Sequence, residues 1–401
     1  MPSRNKFLRL SLLVVIGFFV LVAVFYFSHP ANAKDTPAKP TKELMGQFLE
    51  QMDALKKYNY SDEKFTAPEN DAKIRSHLKQ LSRLAHEAGH DPLLKQNNYK
   101  LSKDVLINHI DDTEKVFAVG NKYYARWMLN STLSVCMSCH SQFPTSSREL
   151  KDFEVGKSFT DDYSQAEFLF ATRAFDKASR IFDRLILAYP KGNLEAIDLE
   201  KALQRQIGYY ARIKRDPKGA IKALSQYEKN KDIPEHLAKD IVAWKAQFEL
   251  WHKSKDLDAR TATEEQILLL AETNLPTHEP YSVTPVLRPV QHMRVSSILY
   301  EYLQTHPQTK IVPELLYYLS VYDRTLNNNF FYSLANLYLR ECIVEHPAHA
   351  FAEKCFYEYE AEIISSYSGP QGTRVPPEVK KDLKDLQKMI DPKGKKLKPK
   401  L

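Results

Sequence analysis

One short segment of this 401-residue chain combines thiol and imidazole groups at a fixed spacing: Cys136, Met137, Ser138, Cys139 and His140. C-x-x-C-H is the attachment signature of c-type haem. The spacing has a chemical reason, because each thiol adds to one vinyl group of the porphyrin and the adjoining imidazole then reaches the iron. The motif predicts one covalent haem c, attached through Cys136 and Cys139, with His140 as the proximal iron ligand.

Other chemistries also use two cysteines at this spacing. Zinc would need a further ligand at matching spacing, and the sequence has no second Cys/His cluster. A thioredoxin-like redox pair is expected within a βαβ unit, and two core cysteines need no chemistry at all. These three interpretations remain alternatives to haem attachment.

The glycine content indicates the fold class. The chain has 11 glycines, whereas average usage would give roughly 28. Tight turns in sheets and phosphate-binding loops need glycine, so the sequence predicts an almost entirely helical, all-α protein. With 43% hydrophobic residues the chain can form a sizeable core, and its length suggests two or three domains.

The N-terminus predicts export. Basic residues precede an uncharged apolar stretch at 10–27, which is at the lower limit for spanning a bilayer. The positive flank would stay in the cytoplasm, so the remaining chain would face the periplasm from a bacterial inner membrane. Residues 1–30 are predicted to form a signal anchor and single-pass transmembrane segment, with a linker at 31–42. Cleavage after small residues near Ala33, giving a soluble periplasmic form, is the alternative.

Positive charge is concentrated at the two ends of the chain. The formal net charge is +7, and the residues between the basic N-terminal flank and the lysine-rich C-terminus carry a net charge of −1. A nearly neutral body does not favour a nucleic-acid partner. The proline- and lysine-rich residues 371–401 are predicted to form a basic disordered tail.

Four helical segments of similar length lead up to and include the motif. Apolar residues recur at helical spacing in 43–58, 69–89, 99–120 and 123–143. Because the connections are short, these segments are expected to pack as an antiparallel bundle that can hold a cofactor between facing helices. A four-helix haem domain is therefore predicted over 43–150.

This arrangement resembles the class II c-type cytochromes, the cytochrome c-prime family. The likeness rests on C-x-x-C-H near the end of the last helix, on the aromatic Phe143 that follows, and on the methionines Met45 and Met52 of the first helix. Met45 falls where low-spin members place a methionine ligand and five-coordinate members place a non-ligating side chain. The resemblance implies Met45 as a candidate distal ligand. Met52, a histidine such as His77 or His109, or no ligand are the alternatives.

After residue 150 a different pattern recurs: a small residue, large apolar residues one and two turns later, and a closing proline. It occurs as Ala178, Phe182, Leu185, Pro190; as Val295, Leu299, Tyr302, Pro307; as Ala335, Leu339, Cys342, Pro347; and in part as Gly208, Ala220, Leu224, Tyr227. The pattern resembles the second helix of a tetratricopeptide repeat (TPR). The resemblance implies stacked helical pairs over 155–370 whose concave surface binds a protein partner.

Two further cysteines lie within this pattern. Cys342 and Cys355 flank the turn at Pro347 at similar distances, on neighbouring helices. An oxidising compartment would allow a disulfide that joins the two helices, and two buried thiols are the alternative.

Together these features predict an exported, membrane-anchored monohaem c-type cytochrome that transfers single electrons. Its helical repeats would dock an envelope redox or assembly protein. One alternative is a five-coordinate haem module that binds a gas or senses redox state and signals through the repeats; another is an envelope scaffold with a structural haem. The sequence contains no nucleophile–base constellation or phosphate loop that would indicate an enzyme.

Overall fold

The structure is a computed structural model of the chain. It describes residues 41–59, 61–88, 97–142, 159, 161–191, 194–275, 288–331 and 333–391. The predicted membrane segment at 1–30 and the cleavage site near Ala33 lie outside these residues. No helix among the described residues is long and apolar enough to cross a membrane.

The described part is mostly helical, which confirms the all-α prediction. Its first helices are α1 (Thr41–Asn59), α2 (Asp62–Thr66), α3 (Asp71–Ala88), α4 (Asn97–Ala118) and α5 (Lys122–Gln142), with a 3₁₀ turn at Pro68–Asn70. The four long helices occupy the segments where helical periodicity predicts them. Helix α1 packs against α3, α3 against α4, α4 against α5, and α5 against α1.

These helices enclose a cluster of buried side chains that we call the four-helix core. It includes Leu44, Phe48, Leu55, Ile74, Leu78, Leu81, Ile110, Phe117, Ala125 and Leu129. On α3 the buried residues Ile74, Leu78 and Leu81 recur one and two turns apart, so one stripe of the helix faces this core. Burying each such side chain contributes about 1.5–3 kcal/mol.

The later helices continue the helical architecture to the C-terminus. They are α6 (Asp162–Ala171), α7 (Phe175–Ala188), α8 (Ala196–Gly208), α9 (Pro217–Tyr227), α10 (Glu235–His252), α11 (Glu264–Thr273), α12 (Pro289–Thr305), α13 (Val312–Phe330), α14 (Ala335–Glu345), α15 (Ala350–Ser366) and α16 (Pro377–Ile390). A π-helical segment at Tyr209–Lys214 continues α8, and the two-residue strands β1 (Ser368–Gly369) and β2 (Gly372–Thr373) pair antiparallel.

Capping side chains define where several of these helices begin. Asp161 accepts a hydrogen bond from the Ser164 backbone N–H at the start of α6 (2.7 Å). Thr263 and Gln266 form a capping box at the start of α11. Each cap satisfies backbone donors that have no partner inside the helix.

Two more clusters of buried residues lie among the later helices. The middle core includes Met137, Leu169, Phe170, Phe182, Leu203, Ile207, Leu224, Phe248, Leu326 and Phe331. The C-terminal core includes Ile267, Val295, Leu299, Tyr300, Leu315, Tyr338, Leu339, Cys342, Cys355, Phe356 and Leu386. The large apolar residues of the recurring pattern, such as Phe182, Leu299 and Leu339, belong to these two cores, so the pattern identified packing faces.

Cys342 on α14 and Cys355 on α15 are joined by a disulfide, and both are fully buried. Their Cα atoms are 6.3 Å apart. This is the pair that the sequence analysis singled out, and it ties together two helices that also pack side by side.

The prediction of a disordered tail over 371–401 is wrong for residues 377–390, which form α16. Leu383 and Leu386 lie about one turn apart on this helix and are buried. Their burial stabilises a helix that the high lysine content alone would not suggest. The predicted tail residues 392–401 lie outside the described part.

Candidate haem site

The three residues with chemical function in the C-x-x-C-H motif share one turn of α5. Cys136, Cys139 and His140 are spaced i, i+3 and i+4, which puts their side chains on one face of the helix. Both cysteines are half-buried, and neither forms a disulfide. Two thiols and an imidazole are therefore presented together in the arrangement that thioether attachment needs.

The motif faces the later helices. Leu129, in the first half of α5, belongs to the four-helix core, whereas Met137 belongs to the middle core. Cys136 packs against the middle core and Cys139 against the C-terminal core. The helical pattern predicted a cofactor held between four facing helices, whereas in the structure residues of the later helices pack against the two thiols.

A hydrogen bond fixes the orientation of the His140 ring. Nδ1 lies 2.6 Å from the backbone carbonyl oxygen of Ala171, and a carbonyl can only accept, so Nδ1 carries the proton. Ala171 is the last residue of α6, where carbonyls have no intrahelical partner. No hydrogen bond to Nε2 occurs within the described residues, so its lone pair is available. Iron-bound and zinc-bound histidines are held in this way by a second hydrogen bond.

The surroundings keep this imidazole neutral. Burial and, to a smaller extent, the nearby positive charge of Arg173 lower the pKa of His140 to about 3, and together they outweigh the hydrogen bond to Ala171, which raises it. Neutral imidazole is the form that binds a metal. Arg173 lies in the turn between α6 and α7 with a φ of 70°, a left-handed conformation that is uncommon for residues other than glycine.

The Cys136 thiol is also held in its neutral form. Burial raises the pKa of the Cys136 thiol to about 12, and the neighbouring Cys139 contributes to the rise. A redox-active cysteine pair needs a lowered pKa and a reactive thiolate, so this environment argues against the thioredoxin-like alternative. In the described part of the chain, no group of three or more His, Cys, Asp or Glu side chains converges as a metal site.

The structure places Met45 apart from the motif's own surroundings. Met45 is half-buried on α1 and packs against the four-helix core, and Met52 belongs to that same core. The contacts of Cys136 and Cys139 are with the other two cores. Among the described contacts, none brings Met45 to the motif, and its role as a distal ligand stays a prediction.

The histidines considered as alternative distal ligands have protein partners. His77 Nδ1 lies 2.9 Å from Gln51 Oε1. His109 donates from Nε2 to the backbone carbonyl of Met128 at 2.7 Å. Each ring is thus oriented by a neighbour within or beside the four-helix group.

The residues of the later helices that contact the end of the motif helix were not predicted from the sequence. Gln142, two positions after His140, donates from Nε2 to the Tyr338 hydroxyl at 3.0 Å, and both side chains are buried. The Oε1 atom of Gln142 is buried without a hydrogen-bond partner in the described part. No local pattern signals a contact between residues this far apart.

These features fit a covalently attached haem. Two thiols, of which Cys136 is held neutral by burial, share one helical turn with a neutral imidazole. Its Nδ1 donates to the Ala171 carbonyl, and its Nε2 has no hydrogen bond among the described residues. A buried acceptor without a partner, Gln142 Oε1, lies on the same helix end. The chain matches no protein-family model, no curated protein and no solved structure, so a functional assignment depends on this geometry and on the sequence.

Proposed function

We propose that the chain is an exported monohaem c-type cytochrome that transfers single electrons. The observation that carries the proposal is the combination of Cys136, Cys139 and His140 on one helical face, with the imidazole oriented by the Ala171 carbonyl. The thiols would form the two thioether bonds, and His140 Nε2 would be the proximal iron ligand. The bound haem would supply an iron centre that cycles between ferrous and ferric states.

The protein's own contribution would be to orient the ligand and to exclude water. The Ala171 hydrogen bond fixes the ring plane of His140 and increases the electron density at Nε2. The buried residues of the middle and C-terminal cores around the thiols provide a low-dielectric environment. Such an environment disfavours the more highly charged oxidised centre, and rigid surroundings suit electron transfer because little has to move between the two states.

An oxidising location outside the cytoplasm is part of this proposal. The basic, apolar N-terminal stretch would direct export and anchor the chain in the inner membrane, facing the periplasm. The buried disulfide between Cys342 and Cys355 supports the same location, since disulfides persist in oxidising compartments. A soluble periplasmic form, cleaved near Ala33, is the alternative.

The later helices would act as a TPR-like array that docks an envelope redox or assembly protein. The support is the burial of the recurring apolar residues, as in Phe182, Leu299 and Leu339, together with the packing of consecutive helices. Units that bury one face against their neighbours leave another face for a partner. We propose no nucleic-acid partner and no catalytic role.

Met45 as distal ligand is the part of the proposal that most affects the chemistry. Absorption spectra of oxidised and reduced protein, made in a host competent for cytochrome maturation, test it directly. A thioether on the iron gives a low-spin ferric spectrum, and Met45→Ala should abolish it. Met52→Ala, which removes a methionine from the same helix and core, is the matched control and should leave the spectrum low-spin. An unchanged spectrum in Met45→Ala removes the assignment.

One observation favours a second function, a five-coordinate haem that binds a gas and signals through the repeats. Met45 contacts the four-helix core, whereas Cys136 and Cys139 contact the other two cores. If no methionine reaches the iron, the reduced wild-type protein should bind carbon monoxide rapidly, at a rate that Met45→Ala does not change. Slow binding that becomes fast in Met45→Ala would instead support the electron carrier.

A further inference from the structure

One buried arginine of the later part of the chain forms no ion pair with a carboxylate among the residues that the structure describes. Arg212, in the π-helical segment Tyr209–Lys214, is only 1% exposed. Its guanidinium faces the ring of Phe331 at 4.7 Å and that of Tyr300 at 5.9 Å. Its hydrogen bond within the described residues runs from Nη2 to Ser296 Oγ at 3.1 Å, and Nε is buried without an acceptor. The Nε donor of this guanidinium is thus left unsatisfied among the described residues.

A second buried arginine shows what a satisfied guanidinium looks like in this protein. Arg205 donates from Nε and Nη2 to the two carboxylate oxygens of Glu167, at 2.8 and 3.1 Å, and from Nη1 to the Phe330 carbonyl. A buried charge is costly unless it is paired and hydrogen-bonded. Arg205 meets that requirement with Glu167, whereas Arg212 has the hydrogen bond to Ser296 and no ion pair within the described residues.

Asp323, the buried carboxyl that interacts electrostatically with Arg212, does not form an ion pair with it among the described residues. Asp323 is buried and accepts a hydrogen bond from the Leu334 backbone N–H. Burial raises the pKa of this carboxyl above its usual range despite the attraction of Arg212. No ion pair between the two side chains occurs in the described part of the chain. Arg212 therefore retains the capacity to bind an additional anion.

The site around Arg212 is continuous with the C-x-x-C-H helix. Gln142 donates to the Tyr338 hydroxyl at 3.0 Å, and that hydroxyl lies 3.0 Å from the Tyr300 hydroxyl. The Tyr300 ring in turn faces Arg212. Cys139 packs against the C-terminal core, to which Tyr300 belongs. The Tyr300 ring therefore lies between the Arg212 guanidinium and the core against which Cys139 packs.

We propose that Arg212 is the residue that binds a carboxylate of the attached haem, a propionate. The inference rests on the proposed function, since that haem would bring two carboxylates into the protein with the thioether bonds. A guanidinium binds a carboxylate through two parallel N–H donors, and the Nε of Arg212 has no acceptor in the described part of the chain. The later helices then hold the prosthetic group directly, in addition to any role in docking.

Three variants of the full-length protein, matured with haem, test this proposal. Arg212→Gln removes the charge, Arg212→Lys keeps it without the bidentate donors, and Arg205→Gln is the control for loss of a buried arginine whose partner is Glu167. Resonance Raman spectra report the propionate bending band. Redox titrations at several pH values report the midpoint potential and the pH at which the propionate ionises.

Arg212→Gln should shift the propionate band, lower the midpoint potential, and move the propionate ionisation to higher pH. Arg212→Lys should shift the band while retaining most of the potential. Arg205→Gln should change neither. An unchanged band and potential in Arg212→Gln overturns the inference. If that variant does not accumulate, an unchanged band in Arg212→Lys overturns it equally. Wild-type protein without covalent haem would overturn the proposed function itself, a result distinct from these.

Discussion

The close contact between α8 and Phe331 allows a stability prediction of defined sign. Gly208 is the last residue of α8, and a Cβ atom there would lie 2.6 Å from Cζ of Phe331. Carbon atoms pack at about 3.5–4.0 Å, so Gly208→Ala must displace the ring by about an ångström. The ring is buried and covers the guanidinium of Arg212, which limits where it can move.

The magnitude follows from two opposing effects. Overpacking of a dense core costs about 1–3 kcal/mol, whereas alanine in place of glycine within a helix contributes up to about 1 kcal/mol of stability. Gly208→Ala should therefore lower the free energy of unfolding by about 1 kcal/mol. Gly46, on α1, is the matched control, because a Cβ there meets no atom within 4 Å. Gly46→Ala should raise the free energy of unfolding by about 0.5–1 kcal/mol.

Urea unfolding followed by far-UV circular dichroism measures both changes. The same substitution at Gly208 should become stabilising in a Phe331→Leu background, because leucine lacks the ring atom that the new methyl group meets. The reversal of sign isolates the contact from any general effect of helix propensity. Without that contact, Gly208→Ala should behave like Gly46→Ala. A raised unfolding midpoint for Gly208→Ala in the wild-type background would therefore contradict the close contact between Phe331 and Gly208.

Two further predictions concern covalent and charged contacts. Replacing both Cys342 and Cys355 by alanine should lower the free energy of unfolding by about 3 kcal/mol, the loop-closure value for a separation of 13 residues. A reducing agent should lower the urea midpoint of the wild type and leave that of the double variant unchanged. Burial alone would raise the pKa of Asp111, but hydrogen bonds from Ser82 and His86 outweigh it and lower the pKa. Asp111 therefore contributes stability above about pH 4 that is lost as the pH falls further. Asp111→Asn should unfold at a lower urea concentration than the wild type at pH 7, and its urea midpoint should fall less on acidification. An equal fall of the midpoint in both proteins would contradict this.

The helices could be predicted because their periodicity is local. On α3 the spacing of Ile74, Leu78 and Leu81 reports the buried face directly, and the observed helix, Asp71–Ala88, lies within the predicted segment. The pairing of Cys342 with Cys355 was accessible for a similar reason, since both lie a few residues from one turn. The C-terminal helix was missed because the lysine count was given more weight than the apolar residues spaced along it.

The surroundings of the motif could not be predicted from the sequence. The contact of Gln142 with Tyr338 joins residues 196 positions apart, and nothing in either segment specifies the other. The orientation of His140 likewise depends on the carbonyl of Ala171, a backbone atom that every residue type provides. Local spacing identified the chemical groups, and tertiary packing determined what surrounds them.

The mass of the mature polypeptide tests the central claim most directly. Wild-type protein and a variant with both Cys136 and Cys139 replaced by alanine would be produced in a host competent for cytochrome maturation, denatured, and measured by mass spectrometry. The wild type should carry the added mass of one haem that survives denaturation, and the variant should carry none. A wild-type mass equal to that of the bare polypeptide would contradict covalent haem attachment at Cys136 and Cys139.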